Sequence, residues 1–567
     1  MRIKFFLVSH KWLILIVFLA ALLRLWKLES IPPHITPDEA ALGYNAYSIL
    51  KTTRDEYGKF LPVIFKSFGD YKPGLYVYLT VPFVAILGLT EFTVRLPSAI
   101  AGVFAVWLIF KIVSEFFSKQ KDQQPTAEKL HLGHIAAFLL AINPWHIHFS
   151  RGAWEANMSL TLTLLGIYFF LKALEKSKFL VLSSLFFSLT LLAYQGAKLS
   201  SSLVILVLIV TFSKEVKSWL TFEKKLLTGS IVVGLVIASS VLFSFSRGET
   251  GRLKVFSVFS YPRPHEYLQN FLDQGDEKVG SLSYYLFHSE TLNFARGVMG
   301  RWFNHFSGRF LFFEGDYQNP RHSAPNHGML LLSDLVLLVL GIYSLIRKKN
   351  KLTLFTLLWL ILSPLPAVLS RDQVHSIRAL NMVIPLIILS SYGFQYSLQT
   401  FKAFKYPRFL LLAFYLLVTS SFLYYLDSYF IHLPKHNSKL WEYGYKQIVE
   451  TVTPIQNRFR KVTVQQSFAQ PYIYFLFYQK YDPTTYQKQA ELVESEFKGD
   501  VGYVEHLDNI VFGPIDWSVN RGDHGSLMVG DPIRISPEDS GDTNLFDVLK
   551  EINYLDGVTA FRVVEVK

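Results

Sequence analysis

The stretch Leu75-Tyr76-Val77-Tyr78-Leu79-Thr80-Val81-Pro82-Phe83-Val84-Ala85-Ile86-Leu87-Gly88-Leu89 decides how this chain is threaded, because it is apolar enough either to cross a bilayer or to lie on one. If it crosses, the basic clusters Lys111–Lys129, Glu175–Lys178, Lys214–Lys225, Arg347–Lys351 and Lys402–Arg408 all face outward. If it lies flat, all five fall on the side of Arg2, Lys4 and Lys11, which the positive-inside rule makes cytoplasmic. The charge pattern therefore predicts an interfacial helix over 75–89, closing a long outer loop from Glu29 to Thr93.

Working outward, the 567 residues are 51% hydrophobic and 16% aromatic with only 18% charged, the composition of a polytopic membrane protein rather than a soluble enzyme. The formal charge of +12 suggests nucleic acid, but the Lys and Arg fall in short clusters between apolar runs, so a nucleic-acid partner is excluded. The chain has no cysteine, which rules out disulfides, thiolate metal sites and a cysteine nucleophile.

Apolar spans of roughly 15 to 21 residues are expected at Trp12–Leu28, Val94–Phe110, Leu132–Phe149, Met158–Leu174, Phe179–Tyr194 and Leu199–Phe212. Five more follow at Leu226–Phe245, Gly328–Ile346, Leu352–Leu369, Ala379–Tyr396 and Phe409–Leu426. No small-x-small cleavage site precedes Arg24 and Glu29, so the first span is expected to be retained rather than removed as a signal peptide. The expectation is an all-α polytopic membrane protein of the cell membrane with about 11 transmembrane helices over 1–427. Its amino terminus is cytoplasmic, and its outer segments lie at 29–93 and 246–327. Residues 428–567 lose the long apolar runs. They show an amphipathic stretch at Trp441–Val452, alternation at Lys461–Val464 and Ala560–Val564, and a turn at Asn520–Asp523, so they are expected to form a small extracytoplasmic α/β domain.

The chemistry-bearing residues gather in the outer segments. Pro37-Asp38-Glu39 opens a helical apolar pattern after the first span, where acids also favour a helix dipole. Asp38, in a loop folding back onto the bilayer, can take a proton from an incoming hydroxyl. Gly69-Asp70-Tyr71-Lys72-Pro73-Gly74 puts an ammonium at the depth of lipid phosphates, where it either binds one or anchors the helix. Later outer residues offer a second basic set: Arg321-His322, His327, and Arg371 to Arg378 with His375 inside it. Arg378 is the favoured phosphate contact, since a guanidinium makes charge-assisted hydrogen bonds to phosphate and stabilises developing negative charge. His146 and His148 lie two apart and do not share a helix face, so no metal site is expected there, although a divalent ion is not excluded as a helper.

Asp38-Glu39 after the first span, Lys72-Pro73-Gly74-Leu75, and Glu91-Phe92-Thr93-Val94-Arg95-Leu96-Pro97-Ser98-Ala99 resemble glycosyltransferase family 39. That group contains the dolichyl-phosphate-mannose protein mannosyltransferases and the bacterial aminoarabinose transferases. The resemblance continues through Asn143-Pro144-Trp145 to Ser150-Arg151. It implies a GT-C fold, a sugar donor on a polyprenyl phosphate, and transfer on the outer side of the membrane. It also implies Asp38 as the catalytic acid with Glu39 beside it, Lys72, Arg95 and Arg151 as donor-phosphate contacts with Ser150 alongside, and Glu155 as the nearest counterpart of a second acid.

The function expected from these residues is an inverting, mannosyltransferase-like glycosyltransferase with Asp38 as base. It would move a monosaccharide to a protein, lipid or glycan hydroxyl and need no cofactor. The alternative is a transporter or flippase of lipid-linked sugars, whose polar groups would sit near the bilayer midplane. Asp70, Glu155, His322 and His375 are further site candidates.

Overall fold

The computed structural model describes residues 11–118, 127–248, 257–348, 350–466, 470–494 and 502–567. Arg2, Lys4, Lys349 and much of the connector between Lys111 and Lys129, all part of the charge argument, lie outside them. The first part is helical: α1 Lys11–Leu25, α2 Pro37–Thr52, α3 Leu75–Leu87, α4 Glu91–Ser118, α5 Ala127–Ala141, α6 Pro144–Ser150, α7 Glu155–Ala173, α8 Phe179–Ala193, α9 Ala197–Thr211, α10 Ser213–Phe222 and α11 Lys224–Ser246. After α12 His265–Asp273 and α13 Glu290–His305 come α14 Leu332–Arg347, α15 Lys351–Leu362, α16 Val383–Phe401 and α17 Pro407–Asp427.

The deciding stretch is α3, a helix of 13 residues. At 1.5 Å per residue it is roughly 20 Å long, short of the ~30 Å hydrocarbon core. Tyr76, Val77, Thr80 and Val84 are buried on one side, and the Tyr76 hydroxyl donates to Val94 O at 2.9 Å. Leu79, Ile86 and Leu87 remain exposed. Lys72 does not head this helix. It sits one strand earlier, in a hairpin of β1 Ile64–Ser67 and β2 Asp70–Pro73, opposite Phe65. Phe68 and Gly69, both left-handed (φ 54° and 80°), make the tight turn.

Among the described residues, five helices are long and apolar enough to cross a membrane: Glu91–Phe116, Glu155–Ala173, Lys224–Ser246, Lys351–Val368 and Pro407–His436. The pair α9 and α10 reaches that length and apolarity only when taken together, and it is bent by 88°, as a broken span or a re-entrant loop would be. The other expected spans coincide with helices that are shorter or more polar. The third, expected unbroken over Leu132–Phe149, ends as a helix at Ala141 and restarts at Pro144, because proline cannot donate to the preceding turn and clashes with it. The basic Lys214–Lys225 stretch is mostly α10, an amphipathic helix rather than a loop.

Two buried arginines cap helix ends here, one at this break and one at the end of α1. Arg24 of α1 donates to Leu140 O and Ala141 O at 3.2 and 3.0 Å, capping α5. Arg151 donates to Leu23 O, Trp26 O and Ile31 O at 2.7, 2.6 and 2.8 Å, capping α1 in return. Each carbonyl left bare in so apolar a place would cost about 1–3 kcal/mol.

α14 and α16 cross at mutually close glycines. A Cβ on Gly393 would lie 1.9 Å from Leu337 O, and one on Gly341 would lie 2.1 Å from Leu389 O. Small residues here let the two backbones touch. Gly393→Ala must push the helices apart, and a loss of about 1–3 kcal/mol is expected in thermal unfolding of the detergent-solubilised protein.

The carboxyl-terminal part is a six-stranded sheet. Its strands are β3 Lys461–Gln465, β4 His506–Leu507, β5 Ile510–Gly513, β6 Ser526–Gly530, β7 Phe546–Asn553 and β8 Thr559–Val566, in the order β4-β5-β3-β6-β8-β7. β3 runs parallel to β5 and β6, and the remaining pairs are antiparallel. The amphipathic stretch forms α18 Tyr445–Val452, and the apolar α19 Pro471–Tyr478 packs on α2. One hydrophobic core holds Ala40, Tyr44, Tyr76 and Val94 together with Tyr472, Phe475, Val462 and Val529. The sheet and the first loop thus share their interior.

Candidate active site

The first turn of α2 is built as a capping box. Thr36 Oγ1 accepts from Glu39 N at 3.2 Å, and Glu39 Oε2 accepts from Thr36 N at 2.9 Å, with Pro37 opening the helix. Asp38 and Glu39 are adjacent in sequence but point to different environments. Glu39 is buried, and its Oε1 accepts from Arg95 Nε at 3.0 Å and from Ala153 N at 2.9 Å. Asp38 is about half exposed (52% of its side chain) and pairs with the Lys72 ammonium delivered by β2.

That ion pair stands at the edge of a cavity of about 740 Å³. The structure brings to it Asp38, Asp70, Lys72, Glu155, His375 and Arg378, all expected from sequence. On the same cavity, the Arg378 guanidinium donates to Asp372 Oδ2 at 2.9 Å. His322 stands one ring behind His375, their centroids 5.6 Å apart. Trp154 and Tyr194 supply apolar walls of the kind a sugar ring or lipid stem packs against.

Glu39, Arg95 and Arg151 do not line the cavity. Arg95 is fully buried, with Glu39 on one edge and Leu28 O, Pro32 O and His34 O at 3.0, 3.0 and 2.6 Å on the others. Arg151 is spent on the end of α1. Both hold the segment that carries Asp38 through hydrogen bonds to its carbonyls. Ser150 is also interior, donating to His146 O. His146 takes a 2.7 Å hydrogen bond with Arg24, and His148 packs among the rings of Phe149, Tyr429 and Trp441.

Sequence reading passed over Lys198, Gln195, Trp154 and Tyr194. Lys198 Nζ donates to Gln195, and lies 4.0 Å from the centroid of the Phe245 ring. Its signal was a lysine in the short link between two apolar helices, too brief to count as a loop.

Burial alone would depress the Lys72 ammonium, but the carboxylates of Asp38 and Glu155 outweigh it and push its pKa up to about 12. Lys72 therefore keeps its proton at any physiological pH. The cavity holds acids and permanent cations side by side, so it can accept a phosphate and a hydroxyl at once.

The family model described as dolichyl-phosphate-mannose-protein mannosyltransferase matches residues 71–243. A curated relative, YycA of Bacillus subtilis (strain 168), named only provisionally as a mannosyltransferase, is 26% identical over 257 residues. That alignment spans 45% of this chain and 33% of the relative, so the chain matches about a third of that protein's length. Among solved structures, ArnT from Cupriavidus metallidurans bound to undecaprenyl phosphate superposes with a TM-score of 0.53 at 13% identity, covering 98% of both chains. Its apo form gives 0.52 at 14% identity with the same coverage. The fold is therefore the GT-C-like one of ArnT, a helical integral-membrane part followed by a sheet-bearing end. Residues 71–243, which carry Lys72, Glu155 and Lys198, match the dolichyl-phosphate-mannose-protein mannosyltransferases, the family that the Lys72 turn and the segment from Glu91 to Ala99 resemble.

Proposed function

We propose that this protein is a membrane glycosyltransferase that moves a sugar from a polyprenyl-phosphate donor to an acceptor hydroxyl, with inversion at the anomeric carbon. The observation that carries the reading is the Asp38–Lys72 pair lining one cavity together with Arg378. The donor phosphate draws Lys72 away from Asp38 and is held between Lys72 and Arg378. Asp38, released, takes the proton of the acceptor hydroxyl as its oxygen attacks the anomeric carbon. The bond from that carbon to the phosphate oxygen breaks, and the electron pair leaves with the lipid phosphate, whose added negative charge the two cations stabilise. Glu39, Arg95 and Arg151 act as positioning residues.

This reading places the loop 29–93, the segment 246–327 and the domain 428–567 on the outer side of the membrane, with the amino terminus cytoplasmic. The similarity to an undecaprenyl-phosphate-bound fold supports the donor class. A transfer assay with a radiolabelled lipid-linked sugar in proteoliposomes tests the reaction. Movement of lipid-linked sugar across the vesicle with no product bond formed would overturn it in favour of a transporter.

Arg378→Ala should raise KM for the lipid donor about 10- to 100-fold, the worth of one charge-assisted hydrogen bond of roughly 1.5–3 kcal/mol. Initial rates over a donor series check this, and KM for the acceptor should stay within about twofold.

A further inference from the structure

Three side chains beside the cavity have no part in the transfer described above. Asp316 follows the helical turn Arg309–Phe313, His322 closes the short turn Pro320–His322, and His375 lies on the loop before α16. All three are buried, with 0%, 5% and 8% of their surfaces exposed. Each offers one ligand atom, and these atoms lie within 4.8 Å of one another.

From this convergence we propose a binding site for a divalent transition metal of the zinc type, held by Asp316, His322 and His375. Two imidazoles and one carboxylate are the donor set that borderline cations favour over magnesium or calcium, which prefer oxygen alone. His322 Nδ1 stands 3.3 Å from Asp316 Oδ2. That is long for a charge-assisted hydrogen bond, ordinarily about 2.7–2.9 Å, yet it equals the edge of a tetrahedron with metal–ligand bonds of roughly 2.0–2.1 Å.

The carboxylate is oriented from behind, as metal ligands are. Asp316 Oδ2 accepts from Ser376 N and Oγ at 2.8 and 2.7 Å, and Oδ1 accepts from Asn319 N and Nδ2, both at 3.1 Å. The nearby guanidinium groups are each matched by an acid: Arg378 by Asp372 at 2.9 Å, and Arg321 by Glu442 at 3.8 Å. His375 also lines the cavity, so the site borders it. The site stands on its own residues and does not depend on the sugar-transfer reading.

Purified full-length protein in detergent, loaded with Zn²⁺ or Co²⁺ and desalted, tests this by elemental analysis and by the visible spectrum of the cobalt form. The expected result is about one metal per chain with the intense absorption of four-coordinate cobalt, and a Tm raised by metal. His322→Gln and His375→Gln should each lower retained metal at least tenfold and abolish the metal-dependent rise in Tm. Their own metal-free Tm, compared with that of the parent protein, shows that they fold. Asp316→Asn should do the same, and if it fails to accumulate, the two glutamine variants decide. Equal retention by parent and both variants, or no retention by the parent, overturns the site.

Discussion

Asp38→Asn is expected to lower the rate of sugar transfer about 10²- to 10⁴-fold, the range in which a positioned general base contributes. Asparagine keeps the size of the side chain and its place in the first turn of α2, so the capping box of Thr36 and Glu39 is untouched. It cannot take the acceptor proton. It also leaves Lys72 without its carboxylate partner, so the ammonium is free for the donor phosphate and donor affinity should hold or improve. Single-turnover transfer from a radiolabelled lipid donor, at matched protein levels, reads the first effect, and equilibrium binding of the donor reads the second. A variant that transfers at the parent rate would remove Asp38 from the chemistry.

Arg95→Met carries the largest expected effect on stability, about 3–5 kcal/mol, because it strands a buried carboxylate. Glu39 would keep only the N–H groups of Thr36 and Ala153, and the carbonyls of Leu28, Pro32 and His34 would lose their donor. The measurement is thermal or denaturant unfolding in detergent, with loss of accumulation in the membrane as the extreme outcome. Lys72→Met supplies the contrast. Its partner Asp38 is about half exposed (52%), so the pair contributes only about 0–1 kcal/mol to stability, while transfer should fail. A stable, inactive Lys72→Met beside an unstable Arg95→Met would separate the group that meets substrate from the one that holds the loop.

That contrast also explains how far the sequence could be read. Asp38, Lys72 and Arg378 were legible because each stands beside an apolar run, where a charge must find a partner, whereas Glu155 came only from the family resemblance. Arg95 and Arg151 stand in similar places, yet their partners are backbone carbonyls of the bend at 23–34 and, for Arg95, Glu39. Carbonyl groups carry no sequence signature, so an arginine that caps a helix looks the same as one that awaits a phosphate. The strands at Lys461 and Thr559 were visible from alternation. The shared core of the sheet and the first loop was not, since α19 is apolar in a way that names no neighbour. The break at Pro144 was present in the sequence, but a run of apolar residues on either side masked it.

That shared core bears on how the protein is made. Tyr474 of α19 lies 439 residues after Ile35, whose carbonyl its hydroxyl meets at 3.1 Å, and the rings around it complete the floor beneath α2. At a synthesis rate of about 5–20 residues per second, the segment bearing Asp38 waits roughly 20 to 90 s for that floor to leave the ribosome. During that interval, the nascent chain presents the apolar face of α2 with its natural cover still unmade. The cover of α2 is thus made long after α2 itself, and a ribosome that stops before Pro471 leaves the segment bearing Asp38 without the floor that packs beneath it.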